Sequence, residues 1–275
     1  MRGQSPFIVI YHAPQVPMNT PDLLTLFDQD QRIGIEYLDM RKDVLPHLTR
    51  FMRATPGMSF ILHSRLDEHN ADAAIAEQVA YFAELNQRFN WKVYEHDTPA
   101  DLAERLVVQG FVADDPDAVM VLNLHNAPDT LLAPVVADVR HLTQREAIRD
   151  VIRVEEQVWG GNFDWMTNRL GSHLEIPGYL SLYVAYVNDE PASTGWTYFH
   201  PGSQYFASLW GGSTVERFRG RGLYTALLAT RAQEARQRGY RYLTIDASPM
   251  SRPIVARHGF QLLTNACDYE WKGGT

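Results

Sequence analysis

The chain has 275 residues, 45% hydrophobic and 21% charged, with a formal net charge of −8. This length and balance describe a globular protein of about two ordinary domains, and the acidic excess argues against a nucleic-acid partner, which needs a basic footprint. No apolar run is long enough to span a bilayer, so no membrane partner is expected, and the single cysteine, Cys267, excludes an intrachain disulfide and a cysteine-rich metal site, so no metal is expected.

Residues 7–11 are apolar but too short for the core of a secretory signal, and no small-residue cleavage site follows, so a cytoplasmic location is expected. A strand is predicted at 58–63, then a helix capped by Asn70 and running through Ala80, Phe82 and Leu85. Residues 91–97 read as a strand. Thr98 as N-cap, with Pro99 at the first helical position, predicts a helix ending at Gly110, after which Phe111 leads to a strand at 118–122. Residues 125–134 read as a linker.

A strand at 136–142 meets a capping box at Thr143 and Glu146, which opens a helix through Ile148, Val151, Ile152 and Val158. A short helix follows at 164–174. Strands at 180–187, 192–199 and 205–215 are separated by turns at 188–191 and at Pro201 and Gly202. Then come a helix at 222–237 stopped by Gly239, a strand at 240–246, a short helix at 251–258 closed by Gly259, and a strand at 261–271. The order is β-α-α-β-β-β-α-β-α-β, a mixed α/β layout.

The two halves end alike, in strand, proline, helix, Gly-Phe, strand. Pro99 and Gly110 are 11 residues apart, Pro249 and Gly259 are 10 apart. This predicts an internal structural repeat, although two unrelated α/β pieces would share such helix–glycine–strand units. Charge separates the halves. Nine arginines between Arg217 and Arg257 face only Glu234 and Asp246, a net +7 that leaves −15 for the rest of the chain.

The most specific stretch runs Arg219, Gly220, Arg221, Gly222, Leu223, Tyr224. It follows a strand and opens a helix, which places free backbone N–H groups at a helix N-terminus, an anion site. Arg217, Arg219 and Arg221 crowd the turn and predict a phosphate. The corresponding N-terminal turn at 65–70 has no glycine and carries Asp67 and Glu68, so one anion site per chain is expected.

This stretch resembles the signature of the GNAT acyltransferases, Arg/Gln-x-x-Gly-x-Gly/Ala, with Arg219 first and Gly222 fourth; Tyr224 departs from the usual sixth residue. An overlapping frame on Arg217, Gly220 and Gly222 fits letter for letter but leaves too little chain after the strand. Gly211 and Gly212 suit the bulge that the family carries in the preceding strand, and Gly259 with Phe260 closes the motif that follows. The resemblance covers roughly 135–272. It implies an α/β fold (α+β mixed sheet) of two tandem acyltransferase-like domains, each a central mixed sheet flanked by helices: a degenerate copy at 1–130 and a catalytic one at 135–275.

The resemblance further implies acetyl-CoA as acyl donor. Ser213, Thr214 and Val215 would lend backbone to the pantetheine arm, and Arg219, Gly220, Arg221, Gly222, Leu223, Tyr224 and Thr225 would hold the pyrophosphate. The acceptor would be a primary amine of a small molecule or peptide. Family members often carry Asn at the head of the second motif and Tyr four residues before its Gly-Phe, where this chain has Ser248 and Val255, so the usual general acid is missing. The candidates left are Asp246 and Glu216 as base and Ser251 as acid; each also fits an ordinary capping or surface role. An N–H near Ser213 or Thr214 would hold the oxyanion, and Trp196 and Trp210 would line the acceptor pocket or the core. The rival reading is a CoA sensor that has lost the chemistry, its N-terminal half a docking or homodimer surface. A nucleotide-phosphate protein lacks support, since no Gly-Lys-Ser/Thr follows the turn.

Overall fold

The computed structural model describes residues 20–54 and 57–273; the apolar stretch 7–11 lies outside them. Residues 20–52, for which the sequence pattern makes no prediction, form α1 (Thr20–Phe27), a π-helical turn (Asp28–Gly34), β1 (Arg41–Val44) and β2 (Leu48–Met52). β2 is buried along its whole length and so shows no alternation to read. β3 (Ser59–Ser64), α2 (Ala71–Glu84), β4 (Phe89–Tyr94), α3 (Leu102–Val108), β5 (Val112–Ala113) and β6 (Asp117–Asn123) complete the N-terminal half. α4 (Asp129–Leu132) occupies the expected linker. The C-terminal half runs β7 (Val139–Leu142), α5 (Ile148–Trp159), α6 (Trp165–Leu174), β8 (Leu180–Val187), β9 (Glu190–Tyr198), β10 (Phe206–Thr214), α7 (Leu223–Gln237), β11 (Tyr242–Ala247), α8 (Arg252–Arg257) and β12 (Gln261–Trp271).

Three helix starts differ from expectation. Thr143 and Glu146 make no capping box: a 3₁₀ turn at Arg145–Ala147 leads into α5, with no side-chain cap at either start. Thr98 Oγ1 donates to the Leu66 carbonyl at 2.7 Å, and α3 begins only at Leu102, so Pro99 is not its first residue. Asn70 holds the N-cap position of α2, but its side chain accepts from Asp67 N instead of a helix amide. At Thr98 and Asn70 a nearby loop group competes with the helix terminus for the same short polar side chain.

All the strands lie in one mixed sheet, ordered β1-β2-β3-β4-β12-β6-β11-β10-β9-β8-β7, with β5 on β12. The halves exchange their last strands: β6 pairs with β11 of the C-terminal half, and β12 pairs with β4 of the N-terminal half. β6 and β12 also pair with each other. Each half holds one parallel pair, β3·β4 crossed by α2 and β10·β11 crossed by α7. A pseudo-twofold axis between β6 and β12 relates them. Asp246 lies opposite Val119, Lys92 opposite Asp268 and Asp117 opposite Ala266.

Strand alternation puts Phe60, Lys92, Asp268, Asp117, Asp246 and Ser208 on one face. α1 covers part of that face through Phe27, which packs with Tyr94, Val119 and Phe206, and α5 and α6 cover its β7–β9 end. α2, α3, α7 and α8 fill the opposite face. Asp39, between the π-helical turn and β1, ties the covering segment to α6 across 3.3 Å to His173 Nε2, and to Arg53 at 3.1 Å. Burial alone would raise the Asp39 carboxyl, but His173 and the Arg53 and Arg169 guanidiniums outweigh it and hold it at about 2.

Expressed separately, 1–130 and 135–275 each leave an exchanged strand without its partners; neither should show a cooperative thermal transition by circular dichroism, while co-refolding restores the single transition of the full chain. Asp39 has a folded pKa below the ordinary aspartate value of about 3.9, so its contribution is present above that pH and lost as pH falls toward 2. Asp39→Asn should lower Tm at pH 7 and flatten the fall of Tm between pH 4 and 2.

Candidate active site

β10 and β11 pair only from Phe206 to Ser208 against Tyr242 to Thr244, and beyond these residues the strands part. Along its other edge β10 skips a residue against β9: Gly211 faces Gly195, Ser213 faces Thr194, and Gly212 has no partner. Gly211 at φ +67 must be glycine, because a Cβ there would come within 2.4 Å of the Trp196 ring. The bulge is held from α5 and β9. Ser213 Oγ donates to Glu155 Oε2 at 3.0 Å and accepts from Trp159 Nε1 at 2.9 Å, and Ser193 Oγ donates to the Ser213 carbonyl at 2.8 Å. Glu155 is 4% exposed, and burial raises its carboxyl despite these bonds. An acid on the apolar side of α5, in register with Val151, Ile152 and Val158, is the sequence signal that marks it.

The glycine–arginine turn caps this cleft. A 3₁₀ turn at Glu216–Phe218 leads to Gly220 and Gly222, both left-handed (φ +75 and +76), and a Cβ on either would meet only open space. The first helical bond of α7 is Ala226 N to Gly222 O, so the Leu223, Tyr224 and Thr225 amides point out of the helix end unpaired within it. The three arginines divide. Arg217 pairs with Glu190 and Gln157, Arg219 Nε donates to the Thr214 carbonyl at 3.2 Å, and Arg221 has no carboxylate partner among the described residues. Of the three, Arg217 is the one that faces a carboxylate, Glu190.

The N-terminal half repeats this geometry and fills it. β3 pairs with β4 only as far as Ile61 and Trp91, and β3 skips Leu62 against β2, so splay and bulge both recur. Arg32, 1% exposed, donates through Nε to the Leu62 carbonyl at 3.1 Å and is held by both oxygens of Asp97 at 2.7 and 2.8 Å. At the head of α2, Asp67 Oδ1 accepts from the His69 and Asn70 amides at 2.8 and 2.9 Å, which hold its carboxyl below the usual range. The chain's own side chains thus occupy the bulge and the anion turn of this half.

Between the halves lies a cavity of about 430 Å³ on the α1 face of the sheet. From the C-terminal half it takes Trp210, Gly211, Gly212, Tyr224, Asp246, Ser251 and Asp268; from the N-terminal half, Tyr37, Phe60, Lys92, Tyr94 and Asp117 among others. Lys92 Nζ sits 2.5 Å from Asp246 and 3.8 Å from Asp268. Burial works against the ammonium, but Asp246 and Asp268 more than compensate and raise its pKa. Burial and the Asp246 charge raise the Asp117 and Asp268 carboxyls.

Of the sequence candidates, Asp246 and Ser251 line this cavity, and the Ser251 hydroxyl bonds to Ser248. Glu216 is exposed on the 3₁₀ turn and is not among the cavity residues. Ser213 sits in the bulge, the Thr214 carbonyl is taken by Arg219, and Val215 is buried with its N–H donated to Ala192 O. Trp210 lines the cavity, Trp196 packs in the core beside α5 and α6, and Val255 lies fully buried. Tyr224, where the signature has a small residue, lays its ring against Gly212, with Cε2 3.2 Å from where a Cβ would be. Lys92, Asp117 and Asp268 escape the sequence reading, because a single charge in a strand looks like its solvent face.

Residues 145–260 match the model of the acetyltransferase (GNAT) family. The chain shares its fold with solved structures over most of its length. A GCN5-related N-acetyltransferase from Kribbella flavida is 14% identical with TM-score 0.66, covering 86% of this chain and 91% of its own. A tandem GNAT protein from the clavulanic acid biosynthesis pathway is 13% identical with TM-score 0.59, covering 93% and 95%. A functionally unknown conserved protein from Staphylococcus epidermidis is 14% identical with TM-score 0.64, covering 86% and 96%. No curated protein matches the chain.

If the turn at 219–225 holds the donor, acetyl-CoA at a hundred times its Kd should stabilise the protein by about 2.7 kcal/mol, read as a rise in Tm that ATP and NAD do not produce. Gly222→Asp, which puts a carboxylate into the open side of the turn, should remove that rise.

Proposed function

We propose that this protein, whose residues 145–260 match the model of the GNAT acetyltransferase family, transfers an acetyl group from acetyl-CoA to a primary amine, which attacks the thioester directly. The observation that carries this reading is the continuity of one cleft. The open glycine turn, the splay of β10 from β11, the unpaired Gly212 and the carboxylate-lined cavity lie in sequence along it.

In this mechanism the amides from Gly220 to Thr225, with Arg221, bind the pyrophosphate. The thioester then lies at the bulge, where backbone N–H freed from β9 stabilises the oxyanion. Asp246 accepts the proton of the attacking amine, directly or through water. The C–N bond forms, the C–S bond breaks and the electron pair leaves on sulfur. Val255 cannot protonate that sulfur. Tyr224 can: its hydroxyl has no hydrogen-bond partner among the described residues, and burial raises its pKa and keeps it protonated. Ser251 is the second donor on the same wall. The N-terminal half, its bulge and turn filled by Arg32 and Asp67, acts in this reading as a degenerate copy that binds no second donor.

The buried Val255 favours the rival, a CoA-binding sensor without turnover. Thiol release from acetyl-CoA across a panel of primary amines separates the two, and donor binding with no release on any amine would establish the sensor. For the enzyme, Asp246→Asn should lower kcat about 10²-fold while leaving the Kd for acetyl-CoA unchanged.

A further inference from the structure

The cavity between the halves holds more negative charge than its lysine can balance. Asp117, Asp246 and Asp268 meet one cation, Lys92, whose ammonium is committed to Asp246 at 2.5 Å and reaches Asp268 only at 3.8 Å. Asp117 has no ion pair among the described residues. β6 and β12 place Asp117 opposite Ala266, two residues from Asp268, so the two carboxylates are diagonal neighbours on one face, within reach of a single small cation bound between them.

Carboxylates on a surface would simply be hydrated. These share their cavity with unmet polar groups. Tyr94 is 4% exposed, lines the cavity, and its hydroxyl has no hydrogen-bond partner among the described residues. Asn90 Oδ1, on the same wall, is shielded from solvent and likewise unpartnered. The Asn90 oxygen is a buried polar atom left without a partner, which is costly, and the Tyr94 hydroxyl oxygen on the cavity wall can accept from an ammonium. The walls between them are aromatic, from Tyr37, Phe60 and Trp210, and their ring faces favour cations.

We propose that the acceptor is a small molecule with at least two amino groups: one reacts at the bulge, and a second, as ammonium, is held by Asp117 and Asp268 with Tyr94. This rests on the acyl-transfer reading only for the fate of the first amine; the second-cation site stands on the cavity alone. Both halves build the wall that measures the acceptor: the N-terminal half contributes Lys92, Tyr94 and Asp117, the C-terminal half Asp246 and Asp268. Burial and the Asp246 charge raise the Asp117 and Asp268 carboxyls in the free protein, and a bound ammonium offsets both.

Calorimetric titration of the full chain with 1,4-diaminobutane and with n-butylamine, each with and without saturating CoA, tests this. The diamine should bind at least about tenfold more tightly than the monoamine, the scale of one charge-assisted hydrogen bond. Asp117→Asn and Asp268→Asn should each erase that preference. Lys92→Gln, which frees Asp246, should strengthen diamine binding; a merely structural role for these residues does not predict opposite signs. Equal affinities, no binding of either amine, or a preference that survives both aspartate variants would overturn the inference. CoA affinity measured on the same samples separates the two readings: its absence refutes acyl transfer and leaves the diamine result standing.

Discussion

The exchange of β6 and β12 is the constraint from which the rest of this molecule follows. Each half ends in a strand that pairs with the other half's parallel pair, and the two exchanged strands pair with each other. A strand edge left open is a liability; here each half closes the edge of the other, and the sheet runs unbroken from β1 to β7. The two halves of the chain form one sheet in space.

The exchange also decides what faces what. Antiparallel pairing about the pseudo-twofold axis turns the C-terminal ends of β4 and β11 toward one shared surface, so Lys92 and Asp246, far apart in sequence, meet as an ion pair. Such a partly buried pair contributes little net stability by itself. Its consequence is positional, for it sets an acidic, aromatic-walled cavity beside the cleft where β10 leaves β11. α1 and the residues after it roof that cavity.

The two halves show how one geometry is kept or filled. Splay and bulge occur in both, since both follow from a parallel pair beside a strand with one residue too many. Only the second turn has glycines and free amides. In the first, Asp67 takes the amides and Arg32 takes the bulge carbonyl. A buried arginine with a bidentate carboxylate is not displaced cheaply, so this half is committed to structure and to shaping the cavity.

The order of elements from residue 58 onward was legible because strands and helices there carry clear periods and are punctuated by glycine and proline. The glycine–arginine turn was legible for a similar reason: left-handed backbone and free amides at a helix start are local requirements that residues 219–225 state directly. Helix caps were misread where a loop carbonyl or amide outcompeted the helix end, as at Thr98 and Asn70. β1 and β2 gave no signal, being short and, in β2, buried on both sides. By itself, then, the sequence determined the order of elements from residue 58 onward and the glycine–arginine turn, both set by interactions within a few residues. Only the tertiary structure decided that the last strands cross over, that Arg217 is spent on Glu190, and that Lys92, Asp117, Asp246 and Asp268 share one cavity. These depend on pairing register between distant strands, and a charge in a strand does not reveal which distant residues will share its face.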